Sequence, residues 1–115
     1  MEFKMKLDSL PFLMIESGRK TIELRLYDEK RRRIAVGDTI RFSDLKKPEK
    51  TILTEVKELF IFNSFDELYS VLPLTECGYT IETVESASPK DMLKYYTPEQ
   101  EKQYGVVGIR IEVLR

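Results

Sequence analysis

The chain has 115 residues, of which 42% are hydrophobic and 34% charged, so it can form one ordinary core and leaves little room for a second domain. Its formal net charge is −1, it contains no histidine, and it has a single cysteine. The lack of histidine excludes Ser-His-Asp and Cys-His nucleophile systems, and one cysteine cannot supply the usual zinc ligands. We therefore expect no metal and no other cofactor, and any catalysis would depend on carboxylate, lysine, hydroxyl or tyrosine groups.

The cysteine content and the amino terminus indicate the compartment. A lone Cys77 excludes an intramolecular disulfide, which is typical of proteins in a reducing environment. No apolar run approaches the roughly 20 residues that span a bilayer. The first six residues alternate bulky apolar and charged side chains, and they lack the apolar stretch of a signal peptide. These features predict a cytoplasmic protein that does not contact a membrane; they leave its oligomeric state open.

Charge is distributed unevenly along the chain. Residues 1–57 contain 14 Lys/Arg against 10 Asp/Glu, whereas residues 58–115 contain 5 against 10. A basic half that formed one face would attract polyanions, but the alternative that folding mixes the two halves is favoured, because sequence order does not set surface order. The near-neutral total favours a short RNA or a single nucleotide over a duplex as ligand.

The N-terminal half shows alternating strand and helix patterns. Alternation of apolar and basic residues predicts a strand over Phe3–Leu7, and a dense apolar stretch predicts a helix over Leu10–Glu16 that ends at Gly18. Two further strands are predicted over Thr21–Tyr27 and Thr39–Ser43.

The C-terminal half contains a long strand, several capped helices and a closing strand. Thr51–Phe62 is rich in β-branched and aromatic residues, and Ser64 is placed to cap a helix after it. Ser88 and Thr97, each followed by proline, mark two further helix starts, and Val107–Val113 alternates as a last strand. The order predicts an α+β domain built on a small β-barrel of about five to six strands, with helices inserted at its edge.

One strand carries a group of polar residues suited to binding. Glu23 and Arg25 are two apart, so they lie side by side, and we expect them on an outward face with Lys20 at the start of the strand. Arg25 offers planar forked donors, Lys20 a point charge and Glu23 acceptors, which together suit a polar ligand. The alternative is a solvated strand face with a surface ion pair worth about 0–1 kcal/mol.

The chain resembles the ASCH domain family in the pattern Gly18-x-Lys20-Thr21-x-Glu23-x-Arg25, in the later Gly37-Asp38, and in the closing run Tyr104–Ile109. The match covers residues 1–115 as a single domain of the small bacterial type. The resemblance implies a PUA-like β-barrel with a cleft beside it, and the family is thought to bind RNA or nucleotides in that cleft.

The resemblance also implies which residues line the cleft. One wall would consist of Lys20, Thr21, Glu23 and Arg25. A loop carrying Tyr95, Tyr96 and Tyr104 would supply stacking surfaces, since base–aromatic stacking is worth about 1–3 kcal/mol. Packing of these tyrosines against the barrel is an equal alternative. If Arg25 serves the ligand alone, its replacement by alanine would abolish binding and leave stability nearly unchanged.

Some small bacterial members are amidohydrolases that remove acyl groups from the exocyclic amine of cytidine with a lysine-activated threonine and a supporting glutamate. The lysine matches Lys20, but the position of the threonine holds Glu23, and Glu76 lies in about the right stretch for the glutamate. The missing nucleophile favours a binding protein over an enzyme. Hydrolysis of an acylated nucleoside by Lys20, Glu23 and Glu76 remains the alternative.

Two further features attract weaker interpretations. The basic run Lys30–Arg33 could contact phosphates, although a solvated turn beside Asp28 and Glu29 is the favoured alternative. Cys77 is interpreted as a buried or half-buried bystander, because nothing near it in sequence would lower its pKa.

Overall fold

The computed structural model describes residues 1–115 and contains five strands and three α-helices. In chain order these are β1 (Glu2–Leu7), α1 (Ser9–Glu16), β2 (Ile22–Leu26), β3 (Thr39–Asp44), β4 (Thr51–Phe62), α2 (Phe65–Val71), α3 (Pro98–Tyr104) and β5 (Val106–Val113). Short 3₁₀ turns occupy residues 31–33, 74–76, 84–86 and 89–94.

All five strands belong to one sheet, ordered β1-β3-β4-β5-β2. β1 pairs with β3 in parallel, and the other neighbours pair antiparallel. The sheet curls into a half-barrel whose two edges are β1 and β2, and no backbone ladder joins those edges. The predicted α+β class with a small barrel and inserted helices is confirmed, with five strands.

Hydrophobic side chains form a core on each face of the sheet. The larger cluster fills the concave face, where Phe12 and Ile15 of α1 pack against alternate residues of β1, β3, β4 and β5. The smaller cluster lies on the other face, between β2 and α2, and consists of Ile22, Leu24, Leu26, Phe65, Leu68, Leu72, Cys77 and Val106. Because β2 contributes to the smaller cluster, the strand is covered on that face although it lies at the sheet edge.

The helix starts follow the predicted capping residues. Ser64 accepts a hydrogen bond from the backbone of Glu67, and both Ser88 and Thr97 form reciprocal capping boxes. The turn after Ser88 is a 3₁₀ helix rather than an α-helix. In α2, Phe65 and Leu68 are buried and Val71 is 65% exposed; Leu72, one residue beyond the helix, is buried as well.

None of the helices has the length and apolar character that crossing a membrane requires. The fold also brings together no group of three or more Cys, Asp or Glu side chains that could hold a metal ion.

Candidate functional site

The side chains of Glu23 and Arg25 face the interior of the half-barrel, so the predicted outward polar face of β2 is wrong. Glu23 pairs across the ladder with Ile109 and Arg25 with Val107, and both partners belong to the concave core. Residues paired in an antiparallel ladder share one face of the sheet. The apolar side of β2 is covered by α2, and the polar side is turned inward, so both faces of this edge strand are shielded.

A three-residue ionic cluster, which we call the ionic triad, lies on this inner side. The Glu23 carboxylate accepts from Lys20 Nζ through Oε1 and from Arg25 Nε through Oε2, each at 2.7 Å. The side chain of Glu23 is only 4% exposed, and those of Lys20 and Arg25 are 11% and 15% exposed. The triad carries a net charge of +1 with little solvent around it, which distinguishes it from the surface ion pair considered as an alternative.

Burial alone would raise the pKa of Glu23, but the neighbouring Lys20 ammonium and Arg25 guanidinium outweigh it and lower that pKa to about 2. Burial opposes the charge on Arg25, and the Glu23 carboxylate more than compensates, so the pKa of Arg25 is raised. Glu23 is therefore a carboxylate at any physiological pH. A carboxylate with so low a pKa is a weak general base.

Arg25 also joins the two edges of the sheet. Its Nη2 donates to the backbone carbonyl of Lys6 on β1 at 2.9 Å, while its Nε holds Glu23 on β2. Truncation to alanine would remove both contacts and leave a buried carboxylate with one partner. We therefore expect Arg25→Ala to destabilise the fold, contrary to the expectation from sequence.

A cleft of about 420 Å³ opens beside the triad, within the range typical of small-molecule sites. Lys20, Glu23 and Arg25 form one charged wall of the cleft, and Tyr95 and Tyr96 line the same cleft. The remaining lining comes mainly from α1, from the loop after β3 and from residues 69–96, and it includes Leu10, Pro11, Met14, Leu45, Tyr69, Cys77, Tyr79, Asp91 and Met92.

The two predicted aromatic residues of the cleft have different environments. Tyr96 is half-buried and stacks on Phe65 of α2, with ring centroids 6.0 Å apart and planes inclined by 15°. Tyr95 is 51% exposed at the rim. Tyr104, the third predicted stacking residue, does not line the cleft and packs against the smaller core instead.

A hydroxyl network in the cleft wall was not predicted from sequence. Tyr69 and Tyr79 hydroxyls lie 2.7 Å apart, and Tyr79 donates to Asp91 Oδ2 at 2.6 Å. Burial and then donation to this carboxylate raise the pKa of Tyr79. These residues are distant in the sequence from the triad, and no local motif marks them as partners of it; only folding brings them to the same cleft.

Thr21 and Glu76 contact each other away from the cleft. Thr21 Oγ1 donates to Glu76 Oε1 at 3.0 Å, and Arg110 Nη1 donates to the same oxygen at 2.6 Å. The Arg110 guanidinium, followed by the Thr21 hydroxyl, lowers the pKa of Glu76. Neither Thr21 nor Glu76 lines the cleft, so the structure does not bring these two predicted residues together with Lys20, Glu23 and Arg25 at one surface.

Cys77 is buried, as predicted, and burial raises the pKa of its thiol to about 11. It lines the cleft as an apolar side chain.

Residues 5–115 match the model of the ASCH domain family. The chain is similar to the crystal structure of hypothetical protein PH0355, with 35% identity, a TM-score of 0.84, and coverage of 99% of this chain and 100% of the other. It is also similar to the solution structure of protein PF0455 from Pyrococcus furiosus, with 36% identity, a TM-score of 0.75, and coverage of 100% and 99%.

A more distant likeness extends to ASCH from Zymomonas mobilis. The two sequences are 17% identical, and the structures align with a TM-score of 0.58 over 96% of this chain and 66% of the other. This similarity supports the fold alone. Among curated proteins, none matches the chain.

Proposed function

Because this chain belongs to the ASCH domain family, whose barrel is of the PUA-like kind, we propose that it binds RNA or a nucleotide, with one unpaired base in the cleft beside the ionic triad. The observation that carries the proposal is the combination, in one cleft of about 420 Å³, of a buried charged triad and an exposed aromatic ring. Bases offer polar edges and apolar faces, and the cleft offers a partner for each.

The triad keeps hydrogen-bonding capacity beyond its internal contacts. Lys20 uses one of three donors on Glu23, and Arg25 uses two of five N–H groups, on Glu23 and on the Lys6 carbonyl. Each carboxylate oxygen of Glu23 retains a second acceptor site. In the proposed complex, Glu23 accepts from an exocyclic amine or a ribose hydroxyl, Arg25 meets a base edge or a phosphate, and Lys20 neutralises phosphate.

The aromatic lining supports recognition of a flat ring. Tyr96 is held in place by its contact with Phe65, so it presents a surface at little entropic cost, and Tyr95 at the rim is free to cover a base. Apolar side chains of Leu10 and Leu45 line the cleft as well. The near-neutral net charge of −1 favours a ligand with few phosphates.

The amidohydrolase alternative receives no support from the geometry. Glu23 stands at the position of the nucleophile, with a pKa of about 2. The nearest hydroxyl in sequence, that of Thr21, is bonded to Glu76 and lies outside the cleft. We therefore favour binding over catalysis, and the test below includes an acylated substrate.

The proposal is tested by amide chemical-shift changes in ¹⁵N-labelled protein on addition of a random pool of hexaribonucleotides, of the four nucleosides and of an N-acetylated cytidine. We expect shifts at residues 20–25 and around Tyr95 and Tyr96. Tyr95→Ala should weaken binding by about 1–3 kcal/mol, the value of one base–aromatic stack. Ile61→Ala serves as the matched control, because Ile61 is 52% exposed and lines no part of the cleft.

Three outcomes distinguish nucleotide binding, hydrolysis and the absence of either. Shifts in the cleft that Tyr95→Ala removes and Ile61→Ala leaves unchanged would support the proposal. Conversion of the acetylated cytidine, detected by chromatography, would favour the hydrolase. Absence of shifts at the cleft with every compound would refute both.

A further inference from the structure

The two edges of the half-barrel meet through side chains. Arg25 of β2 donates to the Lys6 carbonyl of β1 at 2.9 Å, and Lys30, four residues beyond β2, donates to the Lys4 carbonyl. These two contacts bridge the line along which β1 and β2 approach each other, which we call the seam. Cationic side chains thus occupy the place where a backbone ladder would close a complete barrel.

A shallow groove of about 380 Å³ lies along the seam, and we call it the seam groove. Five of its seven lining residues are basic and none is acidic: Lys4, Met5, Lys6, Arg25, Lys30, Arg31 and Ser43. Lys4, Lys6 and Lys30 are exposed, and none of them lies within 4.0 Å of a carboxylate, although Arg31 pairs with Asp28.

The positive charge in the seam groove is not balanced by acidic side chains of the groove. Burial and then repulsion from Arg31 and Arg25 lower the pKa of Lys30, with Asp28 opposing them. The uneven charge of the sequence therefore survives folding at this place, because the strand β1 and the turn after β2, both from the basic half, lie together. An anion in the groove would relieve this repulsion.

The seam groove continues into the cleft, since Lys6 and Arg25 line both. The two sites differ in chemistry: the cleft mixes carboxylates, tyrosines and apolar groups, whereas the groove presents only cationic and neutral residues. A ligand that spans both would have a flat polar ring at one end and anionic groups at regular spacing beyond it. A single strand of RNA has this composition.

We propose that the seam groove binds the phosphates that flank the base held in the cleft, so that the ligand is a single-stranded oligoribonucleotide rather than a free nucleoside. The inference rests on the proposed function. It adds the path of the RNA across the protein, which runs from the cleft over the seam between β1 and β2.

The test uses the double variant Lys4→Gln/Lys30→Gln, which removes two charges of the groove and leaves the triad intact. Fluorescence anisotropy with a labelled random hexaribonucleotide pool, at 25 to 200 mM KCl, reports oligonucleotide affinity. Chemical-shift titration with nucleosides reports the cleft alone. The control is Lys46→Gln/Lys47→Gln, which makes the same charge change in the exposed turn after β3, outside both sites.

We expect the groove variant to bind the oligonucleotides about tenfold more weakly at 50 mM salt, with a slope of log K against log salt smaller by about one to one and a half, as for the loss of two phosphate contacts. Nucleoside shifts should stay within twofold of wild type, and the control variant should behave like wild type in both assays. Far-UV circular dichroism and urea unfolding check that both variants fold.

Failure of the inference and failure of the proposed function give different results. Unchanged oligonucleotide affinity in the groove variant, with nucleosides still bound in the cleft, would refute the seam groove and leave the cleft as the site. No binding of nucleosides or oligonucleotides by wild type would refute the proposed function and the inference together. Equal competition by polyglutamate would show a general acidic-partner site and overturn the assignment to RNA.

Discussion

Replacement of Glu23 by glutamine removes the one negative charge that lies between Lys20 and Arg25 and keeps nearly the same side-chain shape. The two cations, each at 2.7 Å from a carboxylate oxygen, would then face a neutral amide whose N–H₂ group cannot accept from either. Lowering the pKa of Glu23 from its ordinary 4.5 to about 2 corresponds to about 3 kcal/mol of folded-state stabilisation at pH 7. This agrees with the roughly 3–5 kcal/mol lost when one partner of a buried ion pair is removed.

The same pKa gives the pH dependence of the effect. Because the folded-state pKa lies below the unfolded one, the carboxylate stabilises the fold fully above about pH 4.5, and this contribution is lost as the pH falls towards 2. Glutamine does not titrate. The difference in unfolding free energy between wild type and Glu23→Gln should therefore be constant from pH 7 to 5 and fall to less than half by pH 3.

Urea unfolding followed by far-UV circular dichroism at pH 7, 5, 4 and 3 measures both quantities. The matched control is Glu2→Gln, which breaks a surface pair with Arg41 at 3.1 Å in which both side chains are about 40% exposed, and should cost less than about 1 kcal/mol. A loss of under about 1 kcal/mol for Glu23→Gln at pH 7, or a difference independent of pH down to 3, would refute the reasoning.

Three further predictions follow from the fold. Gly105→Ala should lower the free energy of unfolding in urea by about 1–3 kcal/mol, because the φ of Gly105 is +72° and a Cβ there would lie 3.0 Å from the carbonyl oxygen of Phe62, the last residue of β4. Gly18→Ala is the control and should lower it less, because Gly18 has a φ of +82° but a Cβ there would meet no atom within 4 Å. Gly108→Ala should also destabilise, by about 1–3 kcal/mol, because its Cβ would lie 2.7 Å from Leu72 Cδ1, and an unchanged midpoint would contradict this packing. Cys77, with burial raising its pKa to about 11, should react with iodoacetamide at pH 8 about a hundredfold more slowly than a free thiol, and urea should abolish this protection.

The residues of the candidate site were predictable to different degrees. Glu23 and Arg25 follow from a local pattern, since residues two apart on a strand share a face. Lys20 lies before β2, and the segment after α1 brings its Nζ to Glu23. Tyr95 and Tyr96 were placed at the cleft only by family resemblance, and the same reasoning placed there Tyr104, which does not line the cleft.

Some contacts have no signal in the sequence. Tyr69 lies in α2, Tyr79 in the loop after the 3₁₀ turn over residues 74–76, and Asp91 in the 3₁₀ turn over residues 89–94, so their hydrogen bonds depend on how residues 74–94 pack. Thr21 was expected at the cleft because it adjoins Lys20, but it precedes the regular part of β2 and its hydroxyl bonds to Glu76 instead.

Local chemistry in the sequence determined the elements of this protein. Alternation with a period of two predicted β1 and β5, and β-branched and aromatic composition predicted β4, each nearly to the residue. The caps at Ser64, Ser88 and Thr97 set the starts of the later helices, because these signals depend on neighbours within a few residues. Tertiary structure alone decided which side of β2 faces inward. A period of two defines two faces of a strand without saying which is buried, and here the curl of the sheet and the packing of α2 cover both, turning an apparent surface pair into a buried triad.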